Sequence, residues 1–415
     1  MDLAHRTGTV TLTVLGPDRQ PLPETVVTVE QRRHAFGFGN IAFDLVPWLG
    51  GPGPDQPEGS GGPDLTGYAE DWLALFNTAT LPFYWGSYEP RPGVTDAGRL
   101  TATARWLTER GVSVKGHPLV WHTVQPAWLL GLDLDEVQRR QRERIRTIVA
   151  GFAGLIDSWD AINEAVIMPV FSNGENAITP LALARGRIFM VRLAFEEARA
   201  ANPAATLVLN DFDLSSAYEC LIEGVLEAGI RIDAIGLQTH MHQGFRGEEY
   251  LVPMLDRFAR YGLPLHLTET TLVSGDLMPP DIVDLNDYQV PSWPSTQDGE
   301  ARQADELVRH YRCLVGHPAV EAVTYWGFGD AGAWLGAPSG LIRADGTRKP
   351  AYTALADLIK GEWWLAPTQL PTDGEGRFTI SGFFGEYAVS AGGREASFTL
   401  RPGSGAAEVV LAPPG

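Results

Sequence analysis

Eight short apolar runs, alternating with stretches of helical periodicity, restrict this chain most. They are AFGFG at 35–39, LFNTATL from Leu75, VSVKGH from Val112, SWDAIN from Ser158, TLVLND from Thr206, AIGLQTH from Ala234, LPLHLTE from Leu263 and AVTYWGF from Ala322. Intervening segments such as TATARWLTERG and GRIFMVRLAFEEARAA carry apolar residues three and four apart, as a helix lying on a sheet requires. Strands that alternate with helices make parallel βα units, and eight units close a sheet on itself. The expected fold is α/β, a (β/α)₈ TIM barrel over residues 34–362.

The ends read differently. TVTLTVL and TVVTVEQ, within residues 8–31, alternate polar and apolar about a breaker-rich turn, and RFTISGF, EYAVSAG, ASFTLRP and AAEVVLA repeat the pattern between Arg377 and Ala412. A lone pair of strands is marginally stable, so residues 1–33 and 363–415 are expected to combine into one small β-sandwich. Its aromatic residues Phe383, Phe384 and Tyr387 alternate like core residues, which favours a structural brace over a sugar-binding module. The glycine- and proline-rich stretch from Gly50 to Pro63 reads as a surface loop. A second long connection, Val273 to Gly299, holds Trp293 in a turn-rich setting suited equally to a lid and to packing.

A net charge of −19 repels a polyphosphate backbone and argues against a nucleic-acid partner. The two cysteines, Cys220 and Cys313, build neither a disulfide framework nor a zinc cluster and are expected as buried, inert thiols. No apolar run is long enough to span a membrane, and MDLAHRTGTV lacks the pattern of a leader. As written the chain reads as cytoplasmic, or as secreted if a leader was removed. Oligomeric state is not legible.

In a barrel of this kind the C-terminal strand ends share one catalytic mouth. Here they carry His117 with Trp121 and His122, then Asn163 and Glu164, Asn210 and Asp211, Gln238 and His240, Glu269, and Trp326 with Trp334. Directional polar groups beside large flat rings suit a sugar, which presents hydroxyls and C–H faces together. Retaining cleavage of a glycosidic bond needs two carboxyl groups about 5–5.5 Å apart, one to protonate the leaving oxygen and one to attack the anomeric carbon. Glu164 and Glu269, each closing an apolar strand, are the expected pair. Asn163 is placed to bond a hydroxyl beside the reacting carbon, and His240 to orient Glu269. The alternative that His240 and His242 bind a metal needs further ligands at other strand ends, and no metal or cofactor is expected.

At these residues the sequence resembles glycoside hydrolase family 10, the retaining endo-β-1,4-xylanases. The matching stretches are GHPLVWH at 116–122, WDAINEA at 159–165, LVLNDF at 207–212, IDAIGLQTHMH at 232–242, LTET at 267–270, and YWGFGD with Trp334, followed by KPAY at 349–352. The resemblance implies Glu164 as acid/base and Glu269 as nucleophile, with His117, Trp121, Asn163, Gln238, His240, Trp326 and Trp334 holding the sugar. Three departures bear on substrate. Where the family usually reads Glu-Asn-Glu-Met-Lys-Trp after strand two, this chain reads Thr80-Leu81-Pro82-Phe83-Tyr84-Trp85, with Tyr84 and Phe83 offered as an apolar wall. Val124 stands at a usual glutamine, for which Gln125 is a candidate substitute, and Thr271 stands at a usual aspartate. The expected activity is retaining, endo-xylanase-like hydrolysis of a β-linked oligo- or polysaccharide. Its alternatives are a glycosidase for a non-xylan or plant-derived β-glycoside, and a catalytically weakened carbohydrate-binding protein.

Overall fold

A computed structural model describes residues 2–54 and 64–413, and among these residues fifteen strands form three sheets. Eight of them close into a parallel barrel: β3 (Gly37–Ile41), β4 (Thr78–Pro82), β5 (Ser113–His117), β6 (Ser158–Asn163), β7 (Thr206–Asp211), β8 (Ala234–Met241), β9 (Leu265–Leu272) and β10 (Val320–Tyr325). Neighbours in sequence are neighbours in the sheet, and β10 pairs with β3 to complete the ring. Helices such as Ala97–Thr108, Leu134–Gly151 and Arg187–Ala201 fall between strands. The Leu134–Gly151 helix starts where the Asp133 side chain accepts from the Glu136 amide at 2.8 Å, with Asp135 and Glu136 in its positive first turn.

Close packing explains two glycines. A Cβ on Gly116 would stand 2.1 Å from the Trp159 ring, and one on Gly236 2.4 Å from Asn210 Oδ1. The second vacancy lets the Asn210 amide lie across the barrel toward its neighbours.

The terminal segments form two facing sheets. β1 (Thr7–Leu15) lies between β12 (Arg377–Phe383), antiparallel, and β15 (Ala406–Val410), parallel. β2 (Val26–His34) lies between β11 (Thr368–Pro371) and β13 (Gly385–Ala391), and β13 pairs onward with β14 (Arg394–Leu400). The two N-terminal strands therefore enter different sheets instead of pairing with each other. Val10, Leu12 and Val14 from one sheet meet Val27, Val29, Tyr387 and Val389 from the other in a separate small core.

This sandwich abuts the N-terminal ends of the barrel strands, opposite the mouth, because only two residues separate β2 from β3. Arg33 Nη2 donates to Ser113 Oγ at 2.6 Å, at the start of β5, and Arg6 donates to the carbonyls of Val315 and His317 just before β10. The His34 ring, buried between the two units, contacts the Ile359 carbonyl at 2.9 Å. Removing residues 366–415 would strip β11–β15 and uncover Val10, Leu12, Val14, Val27 and Val29, side chains worth about 1.5–3 kcal/mol each when fully buried. The expected result is a lowered melting temperature by calorimetry with unchanged polysaccharide binding. Unchanged melting with weakened binding would instead assign the unit to sugar capture.

Several expectations need correction. Cys220 is exposed on its helix, and Cys313 is half-buried, packed against the edge of the core. Trp293 packs: 8% exposed, it donates to the Asp276 carbonyl at 2.8 Å and lies against His242 and Tyr288. The first barrel strand begins two residues later than AFGFG suggests, because Ala35 and Phe36 make the crossing from sandwich to barrel. Residues 55–63 of the glycine-rich stretch lie outside the described residues.

Candidate active site

Glu164 follows β6 directly and adopts φ +57°, a left-handed conformation that a side chain other than glycine rarely takes. The turn is held by the Glu164 amide donating to the Asn210 carbonyl at 2.8 Å. Such strain costs on the order of 1–3 kcal/mol and persists where the surroundings enforce it. Here it follows a strand whose register delivers Asn163 beside Asn210 on β7.

A chain of amides joins Glu164 to Glu269 on β9. Asn163 Nδ2 donates to Glu164 Oε1 at 3.2 Å, and Asn163 Oδ1 accepts from Asn210 at 2.7 Å and from Gln238 at 3.0 Å. Asn210 also donates to Glu269 Oε1 at 3.0 Å. On the second oxygen of Glu164, Trp121 Nε1 donates at 2.8 Å. On that of Glu269, His240 Nε2 stands at 3.3 Å while its Nδ1 meets Thr271 Oγ1 at 2.8 Å. A carboxylate oxygen accepts only, so Nε2 is the donor toward Glu269, and Nδ1 and the Thr271 hydroxyl share the other bond.

The two carboxyl groups live in different fields. Burial, then the charges of Glu269 and Asp211, push Glu164 up to about 8 against the hydrogen bonds from Trp121 and Gln238. Glu269, joined to Glu164 by the amides, is 5% exposed and receives two donors instead. A proton-holding acid beside a carboxylate fitted with donors is the division that acid-assisted displacement uses. Asp211, at the end of β7, is itself pushed up to about 7 by burial, although it accepts from the backbone amides of Val166 and Asp213.

Sequence reasoning missed a layer beneath. Asp160 Oδ2 contacts Lys115 Nζ at 2.8 Å and His117 Nδ1 at 2.7 Å. Burial alone raises the Asp160 carboxyl, but Lys115 and His117 outweigh it and hold it below the usual range. His117 is thereby fixed in orientation with Nε2 turned away from the pair. The available signal was a charged residue inside each of two apolar strands, VSVKGH and SWDAIN.

Every residue named from sequence lies in one contiguous set. Trp326 packs on His117 and His240 at 5.1 and 6.3 Å, Trp334 on His240 at 4.9 Å, and Tyr84 on His117 and Trp121 at 5.6 and 5.5 Å. Two supporting ideas fail. Phe83 is fully buried against Trp159 and Phe152, because it points to the helix layer, so the apolar wall does not include it. The Gln125 amide bonds the Trp121 carbonyl and the Ala177 amide, which occupies the group proposed as a stand-in. Among the described residues no group of three or more His, Cys, Asp or Glu side chains is arranged to hold a metal ion.

The model of glycosyl hydrolase family 10 matches residues 78–358. The chain belongs to that family. Anti-sigma-I factor RsgI6 of Acetivibrio thermocellus is 24% identical to this family 10 chain over 401 residues, covering 93% of this chain and 45% of that protein. The chain thus spans less than half the length of that relative, over a match that extends beyond the barrel into the terminal segments. Endo-1,4-beta-xylanase B of Thermotoga neapolitana is 27% identical over 319 residues, 72% of this chain and 85% of its own. Xylanase 10B of Thermotoga petrophila, solved in complex with xylobiose, superposes with a TM-score of 0.63 at 22% identity, covering 79% of this chain and 95% of that one. Among the described residues, no helix is long and apolar enough to cross a membrane.

Proposed function

We propose that this family 10 chain is a retaining glycoside hydrolase acting on β-linked sugars of the xylan class, with Glu164 as acid/base and Glu269 as nucleophile. The observation that carries this reading is the amide-bridged pair of carboxyl groups, one kept protonated by its surroundings and the other supplied with donors. The xylanase relatives support the substrate class. In the first step Glu269 bonds to the anomeric carbon while the departing oxygen takes the Glu164 proton. Glu164, now ionised, then removes a proton from water as that water displaces Glu269 from the same carbon. Asn163 offers an amide donor to a sugar hydroxyl, His117 offers Nε2 as an acceptor while its Nδ1 donates to Asp160, and Trp326 and Trp334 offer flat apolar faces.

The test is product analysis on xylan, other β-glycans and aryl β-glycosides, run beside Glu269→Ala. Equal rates in both proteins would eliminate catalysis and leave a sugar-binding protein.

Because Glu164 must enter protonated, kcat/KM should fall as pH rises through about 8. Asp211 is ionised at that pH and disfavours a second negative charge, so Asp211→Asn lowers the Glu164 value and moves the basic limb to lower pH. A limb unmoved in Asp211→Asn, measured on an aryl glycoside from pH 5 to 10, would assign it to another group.

A further inference from the structure

Four rings close on one another at one side of the mouth. Phe43, just past β3, meets Tyr84 at 6.0 Å; Tyr84 meets His117 at 5.6 Å; His117 meets Trp326 at 5.1 Å; and Trp326 returns to Phe43 at 5.6 Å. The successive interplanar angles are 89°, 90°, 75° and 81°, so each contact is edge to face. Rings at these separations are in van der Waals contact, and no pyranose passes between them. Trp121 extends the wall by packing on Tyr84. The end of β4 beneath it presents no accessible polar group: Thr80 is 1% exposed, and Leu81 and Phe83 are fully buried.

Position relative to the chemistry gives the wall its meaning. In a retaining cleavage the acid stands on the leaving-group side, and the sugar that is attacked lies toward the nucleophile. The loops after β5, β6 and β7, around Glu164, remain open, with Val124, Val170 and Phe212 exposed. The wall rises instead from the ends of β10, β3, β4 and β5, the arc of the ring that leads on from the Glu269 strand β9, with Trp121 the part of the β5 loop that joins it. Tyr84 is half-buried, and desolvation followed by the charge of Glu269 pushes its phenol well above the usual range, which keeps it neutral and able to donate.

We propose that the Phe43–Tyr84–His117–Trp326 wall limits the glycone side to a single sugar ring, so that the protein releases one non-reducing terminal sugar per turnover instead of cutting within a chain. Tyr84 is the stop. This rests on the retaining reading above. The covalent sugar on Glu269 is then a monosaccharide, and water returns it as the free sugar while the acid proton leaves with the aglycone and is regained from that water.

The experiment compares 4-nitrophenyl β-xyloside with 4-nitrophenyl β-xylobioside, and the gluco-configured pair, in wild type and Tyr84→Ala. Wild type is expected to process the one-sugar glycoside at least as well as the two-sugar one. Tyr84→Ala is expected to shift the ratio of their kcat/KM values toward the two-sugar substrate by about tenfold or more. A ratio taken within one preparation is insensitive to partial unfolding. A wild-type preference of about tenfold or more for the two-sugar glycoside, or a ratio unchanged in Tyr84→Ala, overturns the proposal. Calorimetry with one-ring and two-ring glycone iminosugars separates the two readings. One-ring binding at least as tight as two-ring binding supports the wall even where neither glycoside is hydrolysed, a result that would sink only the hydrolase assignment; tighter binding of the two-ring compound overturns the wall.

Discussion

Glu269→Gln should lower kcat/KM on every glycoside by on the order of 10⁴-fold or more, because an amide cannot form the glycosyl ester on which double displacement depends. The substitution should leave the fold intact. Glu269 Oε1 accepts from Asn210, and the new Nε2 hydrogens would face His240, whose ring can move its proton to Nδ1 and donate to Thr271 Oγ1. A hydroxyl serves as donor or acceptor, so Thr271 accommodates either tautomer. Glu269→Ala instead leaves room for an external anion. With azide it should form the α-glycosyl azide by one inversion, identifiable by NMR. Retention of near wild-type turnover in Glu269→Gln, with correct folding by circular dichroism, would place the nucleophile elsewhere.

The second large effect concerns Glu164 and depends on the leaving group. For alkoxide leaving groups, as in a polysaccharide, Glu164→Ala should cost roughly 10²–10⁴-fold, the usual contribution of a positioned general acid. For 2,4-dinitrophenyl glycosides, whose leaving group needs no proton, the first step should be nearly unaffected. The second step then lacks its base, so the glycosyl-enzyme should accumulate. A rapid burst, a mass increase of one sugar on the peptide containing Glu269, and rescue by azide to the β-glycosyl azide are the expected signatures. A uniform loss across leaving groups would mean that residue 164 acts on something other than the departing oxygen.

The barrel was legible because its strands are buried on both faces and therefore stand out as continuous apolar runs. SWDAIN and TLVLND match β6 and β7 residue for residue, since sharp polar boundaries end them. LPLHLTE stops three residues short of the end of β9, because Thr270, Thr271 and Leu272 continue the strand past the expected polar terminus. Strand β11 was missed because TQLP is short and ends in proline, and it survives only by pairing along β2. The carboxyl pair was readable from strand ends alone. The partners of the site residues were not. Trp121, expected to hold a sugar, directs its indole N–H to Glu164, and Asn210 proves to be the link between the two carboxyl groups. Such pairings depend on which strand ends face each other across a closed sheet, which spacing along one chain does not encode. Phe83 and Tyr84 show the same limit, since adjacent residues at one strand end point to opposite sides.

The left-handed backbone at residue 164 has an evolutionary consequence. Glycine there would relax the turn and remove a carboxyl group that burial disfavours, so the fold would gain from losing the side chain proposed as proton donor. Selection for heat resistance alone would erase this side chain early, and a thermostable descendant that had lost it would still be expected to look like a barrel with an intact groove.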